Sequence, residues 1–341
     1  MAAVDVTVVG TAMPTIVAQL GGLSLYPWVF SAYLLTSTVT IPLYGKAADL
    51  GGAGLLTAAT TALLWAMLRA GDTGFADPWV LVCVAAAAGL GVTFVFQERR
   101  HTEPMIPPSL LRNRTVAITA LIGVFGGGML FGVSSYVPAF VQGVMGGDVK
   151  DAGLSVLAMG IGWPIASISS GWLLQWWSFR RIALLGGFFL MLGGVGLWTF
   201  GPETASWWVL LSVSTIGLGM GFGMTVTLIA AQEAVGWKER GAATGLVQFS
   251  RTIGGCIWVA ARGAVLAGTL RSALADQPGL LDAANALMDP QQRSGVPEAI
   301  ASQVRGVVGL GLGRALIGVG GMGICACLAM LAFPRSVPRP R

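Results

Sequence analysis

Charged residues are scarce in this sequence. Only 10% of its 341 residues are Asp, Glu, Lys or Arg, whereas 55% are hydrophobic. An average soluble domain carries roughly 25% charged residues, because its surface must face water. The shortage of charge therefore excludes a soluble globular protein, and the high apolar content excludes a disordered chain. A membrane protein that crosses the bilayer several times is the class that remains.

Histidine and cysteine are also scarce. His101 is the only histidine, and the cysteines Cys83, Cys256, Cys325 and Cys327 all lie inside apolar runs. One histidine and scattered cysteines do not supply a tetrahedral metal site. No nucleophile–base pair is visible, and the sequence has no glycine-rich nucleotide loop ending in Lys-Ser or Lys-Thr. We therefore predict that the protein is not an enzyme and holds no cofactor or metal.

Ten apolar runs are long enough to form membrane-spanning helices. A bilayer core of about 30 Å takes ~20 helical residues. The runs are Ala2–Leu20, Trp28–Leu50, Ala53–Arg69, Trp79–Phe96, Val116–Phe140, Ala152–Trp176, Ile182–Phe200, Trp207–Ala231, Gly241–Leu266 and Gly311–Phe333. Alternating strands are not seen between them. The sequence thus predicts an all-α polytopic membrane protein of about ten transmembrane helices.

The placement of basic residues predicts the orientation of these spans. If the N-terminus is inside and the spans alternate, most of the 20 Lys and Arg residues fall in inner segments. Cytoplasmic loops collect Lys and Arg. We therefore predict a multi-pass protein of the cell membrane with both termini in the cytoplasm. The same rule accounts for the net charge of +5, so no nucleic acid is expected as a partner.

Asp5 is the only acidic residue within a predicted span, since the other fourteen lie in loops or, like Asp49, at span ends. An ionisable group within the membrane is costly, and by default it suggests a function. A desolvated carboxylate can bind and release a proton near neutral pH, so Asp5 is a candidate for proton coupling. Only four residues precede it, however, and a position at the inner membrane interface is an equally good interpretation.

Arg251 is the second charged residue of interest. In a helix that starts near Gly241 it lies about 15 Å deep, too far from the headgroups to reach them easily. It should face the interior of a helix bundle or a cavity, with Gln248 one turn earlier on the same face. Two interpretations remain open. Arg251 either pairs with backbone carbonyls as a structural element, or lines a translocation path together with Gln248.

A third group lies at the inner end of the second span, where Gly45, Lys46 and Asp49 form a short loop sequence. A Lys–Asp pair at this place can act as a clasp between helices that opens and closes as a gate moves. The alternative is an ordinary interfacial ion pair, which contributes little to stability.

Five segments together resemble one family. They are Asp5–Val17, Trp28–Leu35, Gly45–Leu50, Glu98–Arg114 and Ala243–Gly255. They resemble signatures of the fourteen-span drug/proton antiporters of the major facilitator superfamily. The resemblance implies a major facilitator-type helical bundle and a proton-coupled, secondary active multidrug efflux antiporter that confers drug resistance. Its partners would be the lipid bilayer, protons and a hydrophobic or cationic small molecule, with the proton gradient as the energy source.

One departure from the family pattern limits this expectation. After Leu50 the family has an aromatic residue, a glycine and a basic pair, whereas this chain has Gly51-Gly52-Ala53. It then continues into a segment that resembles the family's seventh helix. Helices three to six are therefore expected to be missing, together with the antiporter motif of the fifth helix. The alternative function is a truncated, non-transporting remnant of such a transporter.

The expected domain organisation follows from these observations. Residues 1–52 would be a two-helix remnant of the N-terminal bundle, 53–97 a transmembrane hairpin and 98–114 a cytoplasmic linker. Residues 115–334 would form a self-contained C-terminal six-helix bundle that includes an extracytoplasmic loop at 270–305. Residues 335–341 would be a cytoplasmic tail.

Overall fold

The computed structural model describes residues 50–100, 108–274 and 297–336, and these ranges contain helices, turns and loops but no β-strand. The helices are, in chain order, α1 (Leu50–Thr73), α2 (Pro78–Arg100), α3 (Pro108–Arg112), α4 (Arg114–Gly143), α5 (Val149–Leu173), α6 (Phe179–Trp198), α7 (Ser206–Met220), α8 (Val226–Glu233), α9 (Arg240–Leu274) and α10 (Glu298–Leu331). A π-helical turn, Gly221–Thr225, joins α7 to α8.

Seven helical elements in the described ranges are long and apolar enough to cross a membrane. They are α2, α4, α5, α6, the continuous α7–α8 element, α9 and α10. α1 holds a shorter apolar stretch, Gly54–Met67. Eight predicted spans therefore coincide with helices. The first two, Ala2–Leu20 and Trp28–Leu50, lie outside the described residues except for Leu50. The prediction of an all-α polytopic membrane protein is confirmed.

The last six spanning elements pack into one bundle. α4 contacts α5, α9 and α10, and it is the most enclosed helix. α10 packs on α6, α6 on α7 and α7 on α5, so α4, α10, α6, α7 and α5 form a closed ring of contacts, and α9 packs on α4 and α10. These elements correspond to the six-helix bundle expected at 115–334. Its independence as a folding unit stays a prediction.

Glycines allow α4 and α9 to approach closely. A Cβ atom at Gly127 would overlap the carbonyl group of Arg251, and one at Gly254 would overlap the carbonyl group of Val124. Helices in lipid gain no hydrophobic free energy from touching one another, so close backbone packing at small residues drives their association. The glycines on the two helices therefore fix where α4 and α9 cross.

Basic residues gather at one end of the bundle, which we call the basic end. There α2 and α10 end, and α4, α6 and α9 begin. The described residues concerned are Arg99, Arg100, Arg112, Arg114, Arg180, Arg181, Lys238, Arg240 and Arg335. We call the opposite end the far end. The basic end corresponds to the side that the sequence assigns to the cytoplasm, and that assignment stays a prediction.

Two side chains tie helix ends together at the basic end. Asn113 caps α4 by accepting from the backbone N–H of Thr115 at 3.0 Å, and its amide donates to the carbonyl of Ala234 at 2.9 Å. Arg180 donates to the carbonyls of Phe333 and Leu331, both at 2.8 Å. Leu331 is the last residue of α10 and Phe333 follows it by two positions, so both carbonyls lie at the helix end, where carbonyls have no partners within the helix and carry a partial negative charge.

The two described ends of the loop expected at 270–305 are helical, because α9 continues to Leu274 and α10 already begins at Glu298. The added turns of α10 are amphipathic and not uniformly apolar, so a search for apolar runs does not detect them. Ala301, Val304 and Val308 are buried at helical spacing in the same core cluster as the end of α9.

The hairpin of α1 and α2 lies against the bundle through α1. Ala66 and Ala70 of α1 form a small buried cluster with Val80 of α2 and Ala264 of α9. The turn between the two helices is closed by an ion pair from Arg69 Nε to Asp77 Oδ2 at 3.8 Å. Most large side chains of α2, among them Trp79, Leu81, Val82, Val92 and Phe96, are exposed. α2 therefore presents an apolar face to the surrounding lipid.

Candidate functional site

The predicted site residues divide into two groups. Asp5 and the predicted gating loop, Gly45, Lys46 and Asp49, lie outside the described residues. Gln248 and Arg251 lie on α9, and the Arg251 backbone lies on the side of that helix that packs against α4. The candidate site is therefore built from these two residues outwards.

Arg251 connects α9 to α5. Its Cζ atom lies 5.7 Å from the centroid of the Trp163 ring, while its backbone carbonyl lies against Gly127 of α4. Arg251 is eleven residues from the start of α9, about 16 Å along the helix axis. Trp163 is fourteen residues from the start of α5, which lies at the far end of the bundle, and this is about 21 Å along the axis of α5. Both residues are therefore near the middle of the bilayer.

Among the described residues, the Arg251 guanidinium group makes a cation–π contact with the Trp163 ring. No hydrogen bond or ion pair joins that group to another side chain in the ranges 50–100, 108–274 and 297–336. A cation–π contact contributes about 0.5–2 kcal/mol, and translocon-based scales put the cost of an arginine at the bilayer centre at about 2.5–3.5 kcal/mol. The ring alone does not offset that cost, so the N–H groups require water, a solute or another acceptor.

Gln248 adds a second unsatisfied polar group. It precedes Arg251 by one helical turn on the same face of α9. Its Oε1 atom is buried and accepts no hydrogen bond from the described residues. A buried acceptor without a donor costs about 1–3 kcal/mol. Gln248 and Arg251 thus place an acceptor and several donors side by side.

The sequence interpretation missed the hydroxyl groups that lie beside the π-turn. Ser167 of α5 and Thr225 of the turn are 2.9 Å apart between their Oγ atoms. The turn reaches α5 closely because a Cβ atom at Gly221 would contact the carbonyl of Trp163. π-Helical turns are often found at functional sites. The sequence did not show that a π-turn interrupts the helix here.

A separate open depression of about 690 Å³ lies at the far end of the molecule. It is formed by the loop between α6 and α7 and the start of α7, including Glu203, Trp207 and Trp208. Gln248 and Arg251 are not among its lining residues. We therefore centre the candidate site on the polar side chains of α5 and α9 and not on this depression.

The fold and the membrane-embedded polar residues define a class: a multi-pass helical membrane protein with charged and polar side chains at mid-depth of a helix bundle. Residues 97–259 match the family model of the Major Facilitator Superfamily. The predicted all-α fold is confirmed for the described residues, and the match agrees with an incomplete helical bundle of the major facilitator type. Members of that superfamily are transporters and generally not enzymes.

Similar proteins belong to the drug-efflux group. The chain is 26% identical to multidrug transporter protein MdtP of Bacillus subtilis, over 81% of this chain and 74% of that protein. It is also 26% identical to multidrug resistance protein 3 of Bacillus subtilis, over 75% of this chain and 52% of that protein. With multidrug resistance protein Stp of Mycobacterium tuberculosis the identity is 29%, over 74% of this chain and 46% of that protein. The chain thus spans about half the length of two of these relatives.

Proposed function

We propose that the protein is a secondary active transporter that exports hydrophobic or cationic small molecules in exchange for protons. The observation that carries this proposal is the position of Arg251, which lies at mid-depth, has its backbone against α4 and, among the described residues, has only the Trp163 ring of α5 as a partner of its guanidinium group. Transporters of this type bind substrate near the bilayer midplane between helices. The similarity to multidrug transporters supports the same conclusion.

Gln248 and Arg251 would line the translocation path. The Gln248 Oε1 atom has no donor among the described residues, and the contact of the Arg251 guanidinium group among them is with the Trp163 ring, which favours contact with water or solute. The Trp163 ring would supply an apolar surface for a hydrophobic compound. Arg251 would then act as a positioning residue that orients the ring and holds water in the path.

Asp5 would carry the coupled proton, because every other carboxylate lies in a loop or, like that of Asp49, at a span end. The loop of Gly45, Lys46 and Asp49 would gate the path from the side of the basic end. The proton gradient would supply the energy, without a bound cofactor. The basic end would face the cytoplasm of a multi-pass protein of the cell membrane, as the distribution of arginines suggests.

A second function is favoured by the alignment with MdtP. That alignment is 404 residues long but includes 81% of this chain, or about 276 of 341 residues, so about 128 positions of MdtP face gaps in this chain. Four membrane helices with their loops require a segment of about that size. The total length of these gaps would accommodate helices three to six of a fourteen-span antiporter, and a chain without them would be a remnant that inserts but does not transport.

Efflux measurements separate the two functions. Cells that express the chain are loaded with a fluorescent cationic dye, and dye loss is followed with and without an uncoupler. The transporter proposal requires uncoupler-sensitive efflux above the empty-vector background, and dye loss equal to that background establishes the remnant. Arg251→Gln should lower efflux on the order of tenfold, the effect of losing about 1.4 kcal/mol of interaction.

The matched control is Arg181→Gln, which removes an exposed charge at the basic end and should leave efflux unchanged. Both variants are first compared with the parent chain for abundance in the membrane. Efflux that survives Arg251→Gln at equal abundance would show that Arg251 is structural. Efflux that survives Asp5→Asn would remove Asp5 from the coupling mechanism.

A further inference from the structure

The level of the membrane boundary at the far end can be read from α6. This helix has 20 residues and is therefore about 30 Å long, one bilayer core. It begins beside Arg180 and Arg181 at the basic end and ends at Trp198. Tryptophans collect at membrane–water boundaries. The indole N–H of Trp198 donates to the carbonyl of Ile317 at 2.9 Å, so Ile317 of α10 lies at the same level.

Arg314 lies just outside that boundary. α10 runs from the far end to the basic end, and Arg314 is three residues, about 4.5 Å, farther out than Ile317. The headgroup layer extends roughly 5–8 Å beyond the hydrocarbon core. Arg314 is exposed, and it is flanked on the same side of α10 by Leu310, 63% exposed, and Ile317, 51% exposed. An exposed arginine between exposed aliphatic side chains is thus placed at headgroup depth.

A second guanidinium group lies on the same face of α10. A Cβ atom at Gly318 would overlap the Nε and Cζ atoms of Arg262, so the Arg262 side chain crosses α10 directly over Gly318. Positions 314 and 318 are one helical turn apart on one face, about 6 Å along the axis. The absence of a side chain at Gly318 therefore brings the two arginines to neighbouring positions.

The two charges lack an acidic partner in the described part of the chain. Arg314 Nη1 donates to Thr269 Oγ1 at 3.1 Å, while Arg262 lies over the Trp258 ring with its Cζ atom 5.9 Å from the centroid. The Arg262 Nε atom is buried and has no acceptor among those residues. Two neighbouring like charges repel each other, and guanidinium groups match the geometry of phosphate oxygens.

We propose that Arg262 and Arg314 bind the phosphate of an anionic phospholipid in the leaflet at the far end. The phosphate would lie between the two guanidinium groups, and Leu310 and Ile317 would contact the acyl chains below it. The bilayer holds phosphate groups at the depth of Arg314, so the site requires no soluble ligand. The proposal does not depend on transport, because it concerns the α9–α10 surface and not the site around Arg251.

Thermal unfolding of the purified full-length chain in a neutral detergent tests the proposal. Phosphatidylglycerol, phosphatidylcholine and inorganic phosphate are titrated separately. We expect phosphatidylglycerol to raise the unfolding temperature in a saturable way, as a ligand of the folded state does, and phosphatidylcholine to act more weakly. Arg314→Gln should weaken the apparent affinity for phosphatidylglycerol about fivefold, and Arg262→Gln combined with it about 25-fold. Arg181→Gln, an exposed arginine at the opposite end, should have no such effect.

Three results would overturn the proposal. The first is an equal response to phosphatidylglycerol in the parent chain and in Arg314→Gln. The second is an equal response to phosphatidylcholine and phosphatidylglycerol. The third is stabilisation by inorganic phosphate alone that Arg314→Gln abolishes, which would assign the site to a soluble anion. Arg314 is exposed, so Arg314→Gln is expected to fold. The measurement on this variant therefore tests the proposal even if Arg262→Gln does not fold.

Discussion

α2 and α4 are both apolar enough to span a membrane, yet they occupy opposite environments. In α2, 17% of the residues in the most apolar stretch are buried, against 67% in α4. Their glycines account for the difference. A Cβ atom at Gly89 or Gly91 of α2 would meet open space, whereas one at Gly127 of α4 would overlap the backbone of α9. Apolar content thus decides whether a helix enters the bilayer, and glycines with a backbone opposite decide whether it enters the bundle.

The hairpin and the bundle also differ in the contacts that their charged residues make: those of the hairpin are local, and those of the bundle join distant helices. Arg69 and Asp77 form a partly exposed pair at 3.8 Å that closes the α1–α2 turn. Arg180 instead makes two hydrogen bonds of 2.8 Å to the end of α10, 151 and 153 residues away. The first contact shapes one local turn, and the second holds two distant helices together.

The largest effect is expected at the glycines. Gly127→Ala should lower the free energy of unfolding by about 3 kcal/mol, because a methyl group there overlaps a backbone that has no room to move. Gly91→Ala should be neutral or raise stability by up to ~1 kcal/mol, since alanine favours helix more than glycine does. Reversible unfolding in mixed micelles, followed by near-ultraviolet circular dichroism, measures both. If the two variants are equally stable, the comparison between α2 and α4 is wrong.

An intermediate effect is expected at the arginines. Arg180→Gln should cost about 2 kcal/mol, because it removes charge-assisted bonds to carbonyls that have no other partner in α10. Arg69→Gln should cost less than about 1 kcal/mol, as is usual for exposed ion pairs. The same unfolding assay compares them at equal salt concentration. A larger loss from Arg69→Gln would contradict the view that α10 is held at its end by Arg180.

The smallest effect concerns pH. The backbone N–H of Asp151, followed by that of Lys150, holds the pKa of Asp148 below its ordinary value at the start of α5. A carboxyl group with a lowered pKa in the folded state stabilises above the unfolded pKa of about 3.9, and that contribution is lost as pH falls through the lower folded value. Unfolding midpoints between pH 5 and pH 2 should therefore fall more steeply for the parent chain than for Asp148→Asn. If the unfolding midpoints of the two proteins fell equally with pH, the stabilising role of the ionised Asp148 carboxylate would be refuted.

Much of the fold is predictable because a membrane imposes few alternatives. Backbone groups in lipid must bond within a helix, so every apolar run from Ala53 onwards corresponds to a helix. The far-end extension of α10 was not predictable from apolar length, because Ala301, Val304 and Val308 are interspersed with polar residues. Their burial against α9 depends on tertiary packing.

The candidate site was only partly predictable. The depth of Arg251 followed from counting residues along one helix, and in the structure its guanidinium group lies over the Trp163 ring of α5. Its partner Trp163 lies 88 positions earlier in the chain, on another helix, and nothing in the local sequence connects the two. The hydroxyl pair of Ser167 and Thr225 depends on the π-turn, whose register is set by contacts between helices.

The crossing of α4 and α9 has a consequence for how the protein is made. Gly127 and the Arg251 backbone that it touches are 124 residues apart in the chain. At about 5–20 residues per second, the ribosome needs roughly 6–25 s to make that interval. Throughout this time α4 is in the bilayer with its glycine face uncovered, because α9 and α10 are synthesised last. Slow translation between these helices would lengthen the period in which the nascent chain is exposed to membrane proteases.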